Sequence, residues 1–214
     1  LQQTPTLQAE IKKVCIKDPE KKRNAPDSLF TTHAEELLYD ETINVIVELI
    51  DDSEAAYHIV TTALKNKKAV VSANKKMIAE NIEELLYLQE KHQVSFLYEA
   101  AVCGSIPVIR NLEEYYDNDL LSSFSGIVNG STNYILTQMK ESNLSYGQAL
   151  KQAQDLGFAE SNPALDVEGK DAVNKLTIVL QHAYGIIVSP KEILHKGITF
   201  LHDSDTRYAA EKGY

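Results

Sequence analysis

The stretch FAESNPALDVEGKDAVNKLTIVL, residues 158–180, places Glu160, Asp166, Asp171 and Lys175 within sixteen residues. Asp171 and Lys175 stand four apart in a segment whose apolar positions, Ala172, Val173, Leu176, Val179 and Leu180, recur at helical spacing. Residues at i and i+4 leave a helix on one face, so a carboxylate and an ammonium point the same way. Glu160 and Asp166 precede that helix and can fold back toward it. Such a set suits a small substrate that carries an ammonium beside a group that gains or loses a proton. The spacing alone equally fits a solvated ion pair worth about 0.2–0.5 kcal/mol.

Three further stretches carry polar groups at places where ligands bind. VVSANKKMIAE (70–80) sets Ser72, Asn74, Lys75 and Lys76 at the carboxyl end of a strand, where open α/β sheets form their binding crevice. A lysine there can meet a phosphate, a carboxylate or a carbonyl, or simply begin an exposed helix. LYEAAVCGSIP (97–107) offers Glu99 at a strand end, then a turn of small residues whose carbonyls suit a hard or monovalent cation. Close packing of that turn on a neighbour explains the same composition. GIVNGSTNYIL (126–136) opens a helix with Gly130, Ser131 and Thr132, whose N–H groups could hold an anion. Most helices begin with such residues, so this signal is weak.

Alternating strand and helix patterns position these groups in the first half of the chain. AEIKKVCIK (9–17) reads as a strand, and INVIVELI (43–50) as a parallel strand buried on both faces. SEAAYHIVTTALKNK (53–67) is helical with Ser53 as N-cap, KAVVSA (68–73) is a strand, 74–93 a helix and VSFLYEA (94–100) a strand. Strands separated by helices of this length form βαβ units around a parallel sheet. The fold class is therefore α/β, a partial Rossmann-like doubly wound nucleotide-binding half over residues 1–104, followed by an α+β substrate, catalytic and dimerisation domain over 105–214. In that second part, helices are expected at 106–116, 131–142, 145–157 (stopped by Gly157) and 166–183. Strands are expected at 120–128 and at EILHKGITFL (192–201), with a short amphipathic segment at the end. No GxGxxG run occurs, although a doubly wound dinucleotide domain carries one between its first strand and helix. The first strand and phosphate loop are expected upstream of Leu1.

Composition narrows the partners. A formal net charge of −10, with KDPEKKR (17–23) as the densest basic run, offers no track for a nucleic-acid backbone. No apolar run approaches the roughly 18 residues needed to cross a bilayer, and the opening residues lack the pattern of a secretory signal. Two cysteines, Cys15 and Cys103, suggest neither a disulfide framework nor a thiolate metal site. The expectation is a cytoplasmic protein with no nucleic-acid or membrane partner.

ANKK, YEAAVCGSIP, GIVNGSTNYIL and GFAESNPALDVEGKDAVNKL occur in the order and spacing of the homoserine dehydrogenase family, which this chain resembles from about residue 9 onward. The resemblance implies NADP- or NAD-dependent interconversion of L-aspartate 4-semialdehyde and L-homoserine, on the route to threonine, methionine and isoleucine, by a homodimer. It puts Lys175 on the catalytic lysine and Lys75 on a lysine between cofactor and substrate. Glu160, Asp166 and Asp171 fall on residues that bind the amino-acid part of the substrate, and Gly157 where backbone approaches the nicotinamide. Glu99, with the carbonyls of Val102, Gly104 and Ile106, matches a sodium-like site. Lys17 lies with Asp18, Lys21, Lys22 and Arg23 at the end of the second strand of the expected cofactor fold, where a cation favours the 2′-phosphate of NADP. Three positions depart from the family pattern. Phe158 replaces a common tyrosine, Asp51-Asp52 replaces a glycine pair, and the glycine fingerprint is missing. The chain as given is therefore expected to bind NADP weakly and to lack activity.

Two other readings remain open on sequence. Cys103 could act as the thiolate of a phosphorylating aldehyde dehydrogenase, with His92 approaching in space as its base. Alternatively the chain is a non-catalytic, dimer-forming or regulatory module that kept the fold and lost the chemistry.

Overall fold

The computed structural model describes residues 9–116 and 121–213. The chain divides into two compact units, Leu1–Met77 with Glu83–Tyr98, and Ile78–Ile82 with Glu99–Tyr214.

The first unit alternates strands and helices: β1 (Val14–Cys15), β2 (Phe30–Thr31), α1 (Glu35–Leu38), β3 (Val45–Glu48), α2 (Ser53–Lys65), β4 (Ala69–Ser72), α3 (Lys75–His92) and β5 (Phe96–Leu97). β1 pairs with β2, and β3–β4–β5 form a second sheet, all in parallel. The register sets Val47 beside Val71 and Val71 beside Leu97. Side chains alternate across a strand, so Ile46, Val70 and Phe96 enter the core with Ala56, Val60 and Leu64 of α2 and Leu85 of α3. Val45, Val47 and Leu97 take the opposite face and are exposed. The run at 43–50 is thus buried on one face among the described residues, not on two. The strands expected at 9–17 and 94–100 form only over two residues each.

Helix caps in this unit come from side chains that periodicity did not single out. Asp52, rather than Ser53, caps α2 by accepting from Glu54 N and Ala55 N at 3.0 and 2.8 Å. The second of the two acids after VELI therefore serves a helix start, where an anion is favoured. Lys68 is buried, and its Nζ donates to the carbonyls of Asp40 and Ile43, at 2.5 and 2.7 Å. Those bonds tie the loop before β3 to the start of β4.

In the second unit the described elements are all helical: α4 (Ala100–Cys103), α5 (Val108–Tyr115), α6 (Gly130–Glu141), α7 (Tyr146–Asp155), α8 (Ala164–Val167), α9 (Lys170–Tyr184), a 3₁₀ turn at Pro190–Glu192 and α10 (Asp203–Glu211). Ile135 and Met139 of α6, Ala149 and Ala153 of α7, Ala159 and Val167 form its core, with Ile198 and Leu201 packed against them. Small residues on α7 bring it close to α6. Ser145 starts α7 through a reciprocal capping box with Gln148.

Three expectations fail here. The strand at 120–128 does not form over 121–128, and Leu120 lies outside the described residues. A strand needs a ladder partner, and the segment instead gives its Val128 carbonyl to a lysine side chain. The strand at 192–201 is replaced by irregular backbone that lies on the end of α8, with Ile198 N donating to Val167 O at 2.8 Å. The helix expected from 166 to 183 is interrupted at Gly169, whose φ of +82° is open to glycine and strained for other residues.

Gly197 is the residue that permits that close approach. A Cβ there would lie 2.5 Å from Val167 O and 2.8 Å from Glu168 Cα, both backbone atoms that cannot swing away. Gly197→Ala should destabilise the protein by about 1–3 kcal/mol, the usual scale for forced overpacking. Chemical denaturation of the variant beside the parent protein measures it, and an unchanged midpoint would contradict the packing described.

Candidate active site

α9 delivers the charged pair. Its helical rise puts Lys175 Nζ 2.8 Å from Asp171 Oδ2, with 14 % and 6 % of their side-chain surfaces exposed. This is a buried ion pair, not the solvated one that spacing alone allowed. Lys175 Nζ also donates to Val128 O at 2.6 Å. An ammonium has three N–H donors, so these two acceptors leave a third for an incoming oxygen.

Asn129 joins the carboxylates. Its Nδ2 donates to Asp166 Oδ1 at 2.6 Å and to Asp171 Oδ2 at 2.9 Å. Its Oδ1 accepts from Thr132 N and Thr132 Oγ1, which caps α6. The N–H of Thr132 is therefore taken, and the anion-holding helix start expected at Gly130–Thr132 is partly filled from within. Ser131 Oγ donates to Phe158 O at 2.6 Å, and Phe158 stacks on Tyr134 with centroids 4.5 Å apart. The break at Gly169 separates Asp166 on α8 from Asp171 on α9, so that both reach one amide.

Glu160 and Gly157 lie on the segment that links α7 to α8. Gln154 Nε2 donates to the Glu160 carbonyl at 3.0 Å, while the Glu160 side chain is exposed with no hydrogen-bond or ion partner among the described residues. Gly157 has φ +78°, and nothing lies within 4 Å of where its Cβ would be. A flat group could approach the backbone there.

At Glu99 the structure brings a different answer. β5 ends at Leu97, and Glu99 precedes the short helix α4 where a turn was expected. Its Oε1 accepts from Ile109 N at 2.9 Å and its Oε2 from Arg110 N at 3.0 Å, so the carboxylate caps α5. The Ile106 carbonyl accepts from Val108 N at 2.9 Å. The Glu99 oxygens and the Ile106 carbonyl each keep a lone pair beyond these bonds. Cys103 ends α4 as a free thiol, with no hydrogen-bonded base among the described residues.

Lys75 and Lys17 belong to the first unit. Asn74 fixes the position of Lys75: its Nδ2 donates to Ile50 O at 3.0 Å, its N–H to Ser72 Oγ at 3.2 Å, and its Oδ1 accepts from Met77 N at 3.0 Å. Buried Glu48 completes the brace, accepting from Ile50 N at 2.6 Å and from Ser72 Oγ at 2.5 Å. The carboxyl ends of β3 and β4 are thus locked together where α3 begins with Lys75. Lys17 is exposed just past β1 in a turn where Arg23 bonds the carbonyls of Asp18 and Lys21. Glu48 and Asn129 were both missed on sequence. A lone acid inside an apolar strand was the available signal for Glu48; Asn129 had only its N-cap position.

His182 on α9 sits against Glu113 of α5, Nδ1 to Oε1 at 2.7 Å, with 9 % of its side chain exposed. Burial pushes its pKa below the ordinary 6.5, against the pull of Glu113 and Glu99. The contact is accordingly a neutral imidazole donating to a carboxylate. The unfolded chain takes up a proton near pH 6.5 that the folded protein resists, so this group's contribution is complete above that pH and is lost as pH falls through the lower folded value. The melting temperature should drop between pH 7 and pH 5, and His182→Gln should flatten that slope. An unchanged slope in thermal melts across this range would show that His182 is not the titrating group.

Two family models match the chain. One described as "Homoserine dehydrogenase, NAD binding domain" matches residues 1–99, and one described as "Homoserine dehydrogenase" matches residues 107–214. Homoserine dehydrogenase of Bacillus subtilis (strain 168) is 39 % identical over 206 residues, covering 95 % of this chain and 48 % of the relative. That of Helicobacter pylori is 41 % identical over 204 residues, with 95 % and 48 % covered. Among solved structures, a homoserine dehydrogenase from Thiobacillus denitrificans matches with a TM-score of 0.80 at 38 % identity, over 86 % of this chain and 43 % of that one. A hyperthermophilic archaeal homoserine dehydrogenase mutant in complex with NADPH matches with a TM-score of 0.68 at 30 % identity, over 81 % and 53 %. The chain spans about half the length of the curated relatives it matches.

Proposed function

The chain belongs to the homoserine dehydrogenase family, and we propose that it forms the part of such an enzyme that reduces L-aspartate 4-semialdehyde to L-homoserine, reversibly, with NADPH. Residues 1–104 serve the cofactor and 105–214 the substrate and the contacts of a cytoplasmic homodimer. The observation that carries this reading is the cluster in which the Asn129 amide holds half-buried Asp166 and buried Asp171, and Asp171 pairs with Lys175. Carboxylates there meet the substrate ammonium, joined by Glu160 with its uncommitted side chain. The remaining N–H of Lys175 meets the aldehyde oxygen.

A bound reduced nicotinamide supplies the hydride. As the carbonyl carbon is reduced, negative charge develops on its oxygen, and the Lys175 ammonium stabilises that charge and gives up the proton that completes the alcohol. Val128 O and Asp171 hold Lys175 in place for that transfer. Lys75, placed by Asn74 at the start of α3, adds positive charge on the cofactor side. Gly157 leaves open backbone for the nicotinamide ring, and Lys17 with its basic neighbours favours the 2′-phosphate of NADP. The NADPH complex of the archaeal relative is consistent with that preference. Asp52 occupies N–H groups at the start of α2, so that helix end is not open to a pyrophosphate. Glu99 and the carbonyls of Val102, Gly104 and Ile106 would hold a monovalent cation such as sodium.

The reading is tested with the chain extended to the length of its relatives, by following NADPH oxidation with aspartate 4-semialdehyde. Turnover that requires phosphate and is abolished by Cys103→Ser would instead support acyl transfer through the thiol. In the extended enzyme, Lys175→Ala should lower kcat by about 10²-fold or more, the scale of a positioned acid–base group, with a smaller effect on substrate KM. Near-normal kcat would remove Lys175 from the chemistry.

Glu160→Gln and Asp171→Asn should both raise the KM for the amino-acid substrate, because each removes charge that faces its ammonium, and Asp171→Asn should lower kcat as well because Asp171 holds Lys175. Cofactor affinity should stay close to that of the parent. Steady-state kinetics with each substrate varied in turn separates the two, and loss of cofactor affinity alone would mean that the carboxylates face a different ligand.

A further inference from the structure

We propose that Asn129 is the positioning residue that makes this site selective for a substrate bearing an ammonium; the proposal deepens the functional reading above and rests on it. Its amide is oriented without ambiguity. Reversing it would turn Oδ1 toward two carboxylates and Nδ2 toward the Thr132 N–H, so three of its four contacts would set like against like, and only the Thr132 hydroxyl could adapt by accepting. In the observed orientation one NH₂ group reaches both Asp166 and Asp171, although they belong to different helices. Left alone, the two carboxylates repel each other. A cation between them would hold them but would also neutralise them.

An amide holds them at no charge. Asp166 and Asp171 then keep two formal negative charges against the single positive charge of Lys175, and with Glu160 the site stays net negative toward a substrate ammonium. Because Asp171 Oδ2 also accepts from Lys175 Nζ, the same amide fixes the acid that aims the lysine. Asn129 therefore couples the recognition of the ammonium to the placement of the proton donor, without touching the reacting atoms itself.

Asn129 also caps α6, and the test must separate that role. Serine and aspartate keep a cap acceptor for the Thr132 N–H but lack the NH₂ donor, whereas alanine loses both. In the extended enzyme, Asn129→Ser should keep a melting temperature close to the parent's. Its KM for the amino-acid substrate should rise roughly tenfold or more, as for loss of hydrogen bonds to charged groups, with cofactor KM within about twofold. Asn129→Asp should lose more, since it adds a third carboxylate, and Asn129→Ala should lose stability as well. An Asn129→Ser enzyme with parental kinetics would overturn the proposal and leave Asn129 a helix cap. So would one in which both KM values rose together. A readout independent of turnover is the Lys175 ammonium signal in NMR spectra of lysine-labelled protein, which should move in Asn129→Ser without substrate. A moved signal in a parent protein that does not reduce aspartate 4-semialdehyde would sink the functional reading while upholding the coupling; an unmoved signal in an active parent would sink the coupling alone.

Discussion

Charge held away from water dictates the arrangement of the second unit. Asp171 and Lys175 are almost fully enclosed, and a buried ion costs several kcal/mol unless it is paired and its remaining hydrogen-bonding capacity is met. α9 can supply the pair by itself, since residues four apart share a face. It cannot supply the other partners. Val128 O and the Asn129 amide do so, which requires the chain before α6 to run past the start of α9. The segment 121–129 consequently ends on two residues that serve the lysine and the carboxylates, and α6 starts at that point under the Asn129 cap.

Gly169, between α8 and α9, and Gly197, packed against the end of α8, follow from the same demand. A continuous helix from 166 would carry Asp166 and Asp171 at i and i+5, on different faces of one rod. The left-handed turn at Gly169 breaks that rod and lets both acids meet one amide. Gly197 then allows the chain after α9 to close over the junction, with its backbone against Val167 and Glu168. Local glycine conformations and a distant electrostatic cluster are in this sense one device.

In the first unit buried charge is used on backbone. Glu48 holds the Ile50 N–H and Ser72 Oγ at the carboxyl ends of β3 and β4, and Lys68 holds two carbonyls of the loop before β3. Parallel strands have no turn between them to set their ends, so side chains must do it. The result is a fixed pair of strand ends beside which Asn74 starts α3 at Lys75. The two units thus use the same kinds of hydrogen-bonding group differently, one to fix strand ends and the other to hold a cluster of charges.

The sequence by itself determined the α/β rhythm of the first unit, the helices at 53–65, 75–92, 130–141 and 146–155, the family, and the pairing of Asp171 with Lys175. Each rests on periodicity, capping chemistry or motif spacing within a few residues, which short-range sterics and side-chain burial enforce wherever the segment lies. Only the tertiary structure decided that Asn129 and Val128 serve those charges, that Glu48 joins two strand ends, that Glu99 caps α5, and that 121–128 and 192–201 are not strands. Those outcomes depend on donors and acceptors from 10 and 11 up to 47 residues apart in the second unit and 24 apart in the first. A buried polar group takes whatever partner the packed chain brings within reach, and no local pattern records which partner that is.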